Sequence, residues 1–487
     1  MDHPDAERFG AGRDARRRPG AWPAMLGAAF VALLATSGGW ATEKSAPRSK
    51  SEVELSFAPV VKRAAPAVVN IYAKKRIAEA PHPMFDDPFF RQFFGESFAL
   101  GQPIVREQNS LGSGVIVGAD GLIVTNRHVI QGSDEIKIVL ADRREFDADV
   151  LRGDERTDLA VLKVDTGGER LPVLALRDSD ELEVGDMVLA IGNPFGFGQT
   201  VTSGIVSALA RTGVGTGEFR SFIQTDAAIN PGNSGGALVS MDGRLVGVNT
   251  AIASRSGGSH GIGFAIPSNM VAVVLEGVRS GGRVVRPWLG TQSESVTAEM
   301  AMALGMPRPE GVFVQAVNPG SPAERAGVKP GDVILAIGGR GVDSDEALRF
   351  RVATHKPGDA TVLDVLRKGQ TLKLALGLEA PPEIPPREET RLSGRHPLDG
   401  ATVANLSPAV AEELSEHGVP EKGVVVLKVE PGSAAARIGF AAGDVLLQIN
   451  RGDVPSVAAL RQMLSSGSAG WRITLRRGDR VLSMRLG

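Results

Sequence analysis

The stretch TDAAINPGNSGGALV, residues 225–239, sets Gly232, Gly235 and Gly236 around Ser234, directly ahead of an apolar run. Glycine tolerates backbone angles that other residues avoid, so a tight turn between two strands accounts for the glycines. It does not account for the serine. A serine on a strained turn, beside backbone N–H groups free to bind a developing oxyanion, could instead attack a carbonyl carbon. That chemistry needs a base and a carboxylate to orient it, both from elsewhere in the chain. His128 closes the apolar run of GLIVTNRHVIQG and is the only histidine between His82 and His260; Asp158 opens the apolar run of RTDLAVLKV. Taken singly, the histidine reads as a surface or hydrogen-bonded residue and the aspartate as a turn former. Taken together, their order and wide spacing suit three side chains delivered by separate hairpins.

The elements that would position them are short. From Val60 to about Leu275, β-branched runs such as AVVNIYA, GSGVIV, GLIVTN, DLAVLKV and MVLAIG alternate with Gly, Asp and Asn turns. Their number and spacing predict a mainly β region, a sandwich or barrels, closed by a helix over SNMVAVVLEGVRSGG. Residues 80–109 read as a long loop with five phenylalanines between Phe85 and Phe94. Aromatics at that density predict a contact with another chain, or a flap packed on the domain itself. Past residue 280 the chain repeats: PGSPAERAGVKPGDVILAIGGRGV (319–342) aligns with PGSAAARIGFAAGDVLLQINRGDV (431–454), glycine for glycine and aspartate for aspartate. Two copies of one domain follow, joined by a semi-stiff linker rich in proline and charge.

Composition narrows the class. A chain of 487 residues is too long for one core. A formal net charge of -2 argues against a nucleic-acid partner. The absence of cysteine excludes disulfides, thiolate metal sites and a cysteine nucleophile. The N-terminus runs from basic residues ending at Arg18, through an apolar segment from about Ala21 to Ala35, to small residues at Gly39 and Ala41. That is the layout of an export signal cut near Ala41, the alternative being an uncleaved anchor.

TNRHV, TDLAVLKV and TDAAINPGNSGGAL, with GNPFGFGQTVTSGIVSAL (192–209), closely resemble the HtrA (Do-like) serine proteases, a branch of the chymotrypsin-like fold. The resemblance covers residues from about 55 to the C-terminus. After the signal peptide (1–41) it implies a chymotrypsin-like double β-barrel protease domain (50–278), a first PDZ-like α+β domain (281–378), a linker (379–396) and a second PDZ domain (397–487). Ser234 is then the nucleophile, His128 the base, Asp158 its orienter, and the N–H groups of Gly232 and Ser234 the oxyanion hole. No metal or organic cofactor is required. Asn233 stands where trypsin-like relatives carry an aspartate that pairs with a newly cut N-terminus, which argues against zymogen-style activation. Ala228, six residues before the nucleophile, would floor a small uncharged specificity pocket, and Asn249, Thr250 and Ala251 would pair with the substrate backbone. The glycine-rich loops 211–218 and 254–260 would decide whether the site is ordered, with a resting state whose oxyanion hole is imperfect.

In the first PDZ domain Trp288, Leu289 and Gly290 of PWLGTQ match the loop that binds a C-terminal carboxylate. PLDGATV in the second keeps Gly400 but carries Asp399, whose charge disfavours a bound carboxylate, so a structural or assembly role is expected there. The resemblance therefore implies a periplasmic, ATP-independent endoprotease acting on unfolded or misfolded proteins and C-terminal peptides. It would be a homotrimer or larger assembly through residues 84–98, with possible peripheral membrane association and no nucleic-acid partner. A holdase chaperone, or a peptide-binding scaffold with secondary proteolysis, is the alternative.

Overall fold

The computed structural model describes residues 56–78, 105–193, 198–211, 219, 221–230, 232–252, 259–281, 284–414, 423–465, 470–478 and 480–486. The expected export signal, the phenylalanine-rich stretch, residues 212–218 and 254–258 of the two glycine-rich loops and the Ala251 side chain lie outside the described residues.

Two closed barrels of six strands come first. One is formed by β1 (Val68–Ala78), β2 (Val105–Gly118), β3 (Leu122–Asn126), β4 (Glu135–Val139), β5 (Glu145–Asp154) and β6 (Leu159–Val164) in the order β1-β2-β3-β6-β5-β4. The other is formed by β7 (Met187–Gly192), β8 (Thr200–Arg211), β9 (Phe222–Thr225), β10 (Ala237–Ser240), β11 (Leu245–Ile252) and β12 (Gly263–Pro267) in the order β10-β11-β12-β9-β8-β7. Closure removes the free strand edges that an open sheet would expose. Ile71, Ile116, Ile123, Leu159 and Leu162 fill the first barrel and Ile223 and Leu238 the second, all fully buried. In β4 only alternate residues, Ile136 and Ile138, are buried, whereas all of β3 and β10 is buried. Both faces of those two strands are covered, which is why they can position a site between the barrels. Helix Ser268–Arg279 packs Met270, Val271, Val274 and Leu275 into a core shared by both barrels.

Two strands escape the apolar-run reading. β9 has four residues, too short for a periodic signal, and β5 (EFDADVLRGD) is polar and largely at the surface. Residues 105–109, within the expected loop, belong to the backbone of β2.

Two α+β modules follow. The first contains β13 (Thr291–Ser295), β14 (Val312–Val317), β15 (Val333–Ile337), β16 (Arg340–Gly341), β17 (Ala360–Arg367) and β18 (Gln370–Gly377), with helices Pro322–Ala326 and Asp345–Ala353. The second contains β19 (Thr390–Arg391), β20 (Ala401–Asn405), β21 (Val424–Val429), β22 (Val445–Ile449), β23 (Gly452–Asp453), β24 (Trp471–Arg477) and β25 (Arg480–Leu486), with helices Ala434–Ile438 and Val457–Ser465. The sequence repeat is a structural repeat. Ser321 and Ser433 each cap a short helix through the side-chain oxygen, and each helix ends at a left-handed glycine, Gly327 or Gly439. Asp332 and Asp444 are buried, accept a backbone N–H from Lys329 or Ala441, and are gripped by Arg367 or Arg477. The sheets differ at one edge: β13 begins the first, whereas β20 has the additional strand β19 beside it.

Candidate active site

β3 ends at Asn126, and the single helical turn Arg127–Ile130 buries Val129 and Ile130 while leaving His128 half-exposed. Asp158 ends the loop between β5 and β6 with φ 57, an unusual conformation for a residue other than glycine. That loop is held against the histidine turn from both sides. The Arg127 N–H donates to Asp158 O (2.9 Å), as does Asn126 Nδ2 (3.2 Å). The Asp158 carboxylate takes the His128 backbone N–H on Oδ1 at 3.0 Å, and Oδ2 lies 2.6 Å from His128 Nδ1. A third donor, the Thr250 hydroxyl on β11, reaches the same Oδ2 at 3.1 Å. Three donors leave the carboxylate little freedom to rotate.

Ser234 comes from the other barrel, on the turn before β10. Its hydroxyl donates to Thr250 O at 3.2 Å, and among the described residues no hydrogen bond joins it to the His128 ring. Thr250 therefore stands between the two halves of the site, its hydroxyl on Asp158 and its carbonyl on Ser234.

The turn itself explains its glycines. Gly232 has φ 100 and Gly235 φ 82, where side chains are strained. A Cβ on Gly235 would lie 2.1 Å from Ser113 O and 2.2 Å from Thr125 Oγ1; one on Gly236 would lie 2.3 Å from Ile191 O. Crowding demands the second and third glycines as much as conformation does. Asn249 secures the turn with its backbone, accepting from the Gly235 N–H and donating to Gly236 O. Among the described residues neither the Gly232 nor the Ser234 amide has a protein acceptor.

Ser113, on β2 of the first barrel, straps this turn to the opposite barrel. Its N–H donates to Ser234 O (2.8 Å), its hydroxyl donates to Gly232 O (2.7 Å) and accepts from the Asn193 N–H (2.9 Å), and its carbonyl accepts from Thr125 Oγ1 (2.7 Å). Both Ser113 and Thr125 are fully buried. Sequence reasoning treats LGSGVIV only as a strand; the signal it passes over is Gly-Ser-Gly inside an otherwise branched apolar run, small residues where another backbone must approach. Asn233 is buried, and among the described residues both of its side-chain polar atoms are unpartnered. Ala228 is half-buried and its carbonyl accepts from Thr202 Oγ1 at 2.9 Å.

The Asp158 loop also touches the modules. Asp154 forms a buried ion pair with Arg286, at the entry to the first module, and Arg156 pairs with Glu412 of the second at 3.2 Å. The Phe219 ring lies between the guanidinium groups of Arg156 (4.6 Å) and Arg286 (4.7 Å).

In the first module Trp288 donates its N–H to Glu379 O, and Gly290 takes φ 78 beneath Ser321. Leu289 is buried in the module core, its carbonyl bound by the Ala323 N–H. These residues line a cleft of about 1060 Å³ together with Leu348 and Val352 of the facing helix.

Residues 112–248 match the model of the trypsin-like peptidase domain, and residues 287–378 and 425–477 each match that of a PDZ domain. The chain is 39% identical to a probable periplasmic serine protease do/HhoA-like of Haemophilus influenzae, covering 93% of this chain and 95% of the relative. It is 38% identical to the periplasmic serine endoprotease DegP of Escherichia coli, covering 94% and 96%. A solved structure, the HtrA-type protease AlgW with decapeptide, is 47% identical over 67% of this chain and all of its own, with a TM-score of 0.49. Relatives matched along nearly their whole length, through both barrels and both modules, place this chain in the HtrA family of serine endoproteases, the family of DegP and DegQ.

Proposed function

We propose that this serine endopeptidase cuts unfolded or misfolded proteins of the bacterial envelope without ATP, using His128, Asp158 and Ser234. The observation that carries the assignment is the 2.6 Å contact between His128 Nδ1 and Asp158, with Ser234 tied to the same carboxylate through Thr250. With Nδ1–H donating to Asp158, Nε2 of the ring is the basic nitrogen. Ser234 Oγ attacks the scissile carbonyl carbon as Nε2 takes its proton, and the charged ring is stabilised by Asp158. The Gly232 and Ser234 amides receive the oxyanion; one such donor is worth about 2.7–4 kcal/mol of barrier. Collapse expels the amine, protonated by His128, and water then frees Ser234 by the same steps in reverse order.

The Ser234 hydroxyl resting on Thr250 O supports a resting state that substrate or a module ligand must rearrange, since such hydrogen bonds tighten on forming the complex. Ala228 and the Thr250–Ala251 edge are assigned to a small aliphatic side chain and the substrate backbone, with Asn249 holding the turn. Residues 287–378 are assigned to capture of C-terminal peptides at Trp288, Leu289 and Gly290. Export after cleavage near Ala41, and a trimer or larger assembly through residues 84–98, complete the reading. Both segments lie outside the described residues.

The test is casein digestion and fluorophosphonate labelling of the full chain and its Ser234→Ala variant. Labelling confined to Ser234, with cleavage lost in the variant, is expected. Suppressed aggregation without labelling of the wild type overturns the assignment in favour of a holdase.

A further inference from the structure

The edge of the second module where a PDZ domain adds a peptide strand is already occupied. Residues 387–392, just ahead of the module, run antiparallel along β20, with Thr390 opposite Val403 and Arg391 opposite Thr402. The Asn405 N–H donates to Arg387 O (2.7 Å) and the Leu392 N–H to Ala401 O (2.8 Å). The direction is that of a bound ligand, whose final residue reaches the carboxylate-binding loop. At that loop the Gly400 N–H donates to Leu392 O at 3.0 Å. The Leu392 side chain is buried in the same core cluster as Leu398 of that loop, Val403 of β20 and Leu460 and Leu464 of the helix Val457–Ser465. One residue earlier, Arg391 Nε and Nη2 meet both carboxylate oxygens of Glu430 at 2.7 Å. No strand covers the matching edge of β13 in the first module among the described residues.

We propose that residues 387–392 are a built-in ligand of the second PDZ module, seated by Arg391 and Leu392, which closes its groove to outside chains. Asp399 fits this occupant and no free C-terminus. Its carboxylate would repel a terminal carboxylate, yet the segment continues past Leu392, and Asp399 Oδ1 accepts the Gly394 N–H at 3.1 Å. The groove is thus built for an internal Arg-Leu segment. This inference rests on the PDZ assignment of the module and stands apart from the proteolytic chemistry.

The test uses the full chain carrying Ser234→Ala and a labelled peptide of residues 386–395 (PREETRLSGR). A tethered ligand acts at about millimolar effective concentration, so the parent should bind the free peptide at least about tenfold more weakly than the same chain with added Leu392→Ala. Arg391→Glu should increase binding severalfold; that side chain is largely exposed, so the module core is left intact. Hydrogen exchange on the parent, which depends on no further variant, should find the Leu392 and Gly400 amides protected together. Equal peptide binding by parent and folded variants, or unprotected Leu392 and Gly400 amides within an otherwise protected module, overturns the proposal.

Discussion

Ser113→Ala tests whether the turn that carries Ser234, the assigned nucleophile, depends on the opposite barrel. The substitution leaves two backbone ties in place, Ser113 N–H to Ser234 O and Thr125 Oγ1 to Ser113 O, and removes the two made by the hydroxyl. Gly232 O and the Asn193 N–H, both on buried residues, lose their partner. A buried polar group left unpaired costs about 1–3 kcal/mol, so the folded state should lose about 2–6 kcal/mol. Freeing Gly232 O loosens the peptide unit next to an assigned oxyanion donor, and the full worth of such a donor sets the ceiling on the barrier change. With the backbone ties retained, kcat/KM on a peptide substrate should fall about 10- to 100-fold, or about 1.4–2.7 kcal/mol. The assays are the fluorophosphonate labelling rate, peptide turnover and thermal unfolding. Lower stability with unchanged labelling would reduce Ser113 to a structural strap. Unchanged labelling and unchanged stability would refute the hydrogen-bond pattern itself.

Thr250→Val removes the hydroxyl from Asp158 Oδ2 while keeping the carbonyl beside Ser234. It should lower kcat more than it raises KM, by about tenfold, the price of one orienting hydrogen bond of about 1.4 kcal/mol. Gly235→Ala drives a Cβ to 2.1 Å from Ser113 O at φ 82, so fluorophosphonate labelling should be lost while both PDZ modules stay folded by near-UV circular dichroism. Asp332→Ala leaves the Arg367 guanidinium and the Lys329 N–H without their buried partner, and calorimetry should find the first module destabilised by about 3–5 kcal/mol. Phe219→Ala removes the ring from between two guanidinium groups and should cost about 1–4 kcal/mol in unfolding, from two cation–π contacts of about 0.5–2 kcal/mol each.

What the sequence makes legible is what short-range chemistry repeats. The PDZ repeat announces itself because each copy needs the same serine cap, left-handed glycine and buried aspartate at the same spacing. His128, Asp158 and Ser234 stand out through their order and wide spacing and through the glycines around Ser234, since taken singly the histidine reads as a surface residue and the aspartate as a turn former. Ser113 does not, because a small residue in a strand carries no mark of the turn it meets 119 residues later. Thr250 is legible as a substrate-edge residue, but its link to Asp158 spans 92 residues and two barrels. The segment 379–396 reads as a linker from its prolines and charges. Nothing in that composition marks Leu392 as a core side chain, since burial is conferred by the module that follows.

The site is shared between barrels, and its loops are shared with the modules. Asp158 is fixed by groups from both barrels: His128 and Asn126 from the first, Thr250 from the second. The loop it ends begins at Asp154, which is paired with Arg286, and includes Arg156, which is paired with Glu412 and stacked on Phe219. Five consecutive residues thus join the carboxylate assigned to orient His128 to both PDZ modules and to the end of the glycine-rich loop that precedes Phe219. A buried pair such as Arg286 with Asp154 tolerates no unpaired state cheaply, so a shift of the first module must either carry the loop with it or break the pair at a cost of about 3–5 kcal/mol. With Asp154 paired to Leu159 across β5 and β6 and the Asp158 carbonyl held by Arg127 and Asn126, both ends of this loop are anchored in the first barrel, so the Arg286 pair ties the first module to a fixed point of the site.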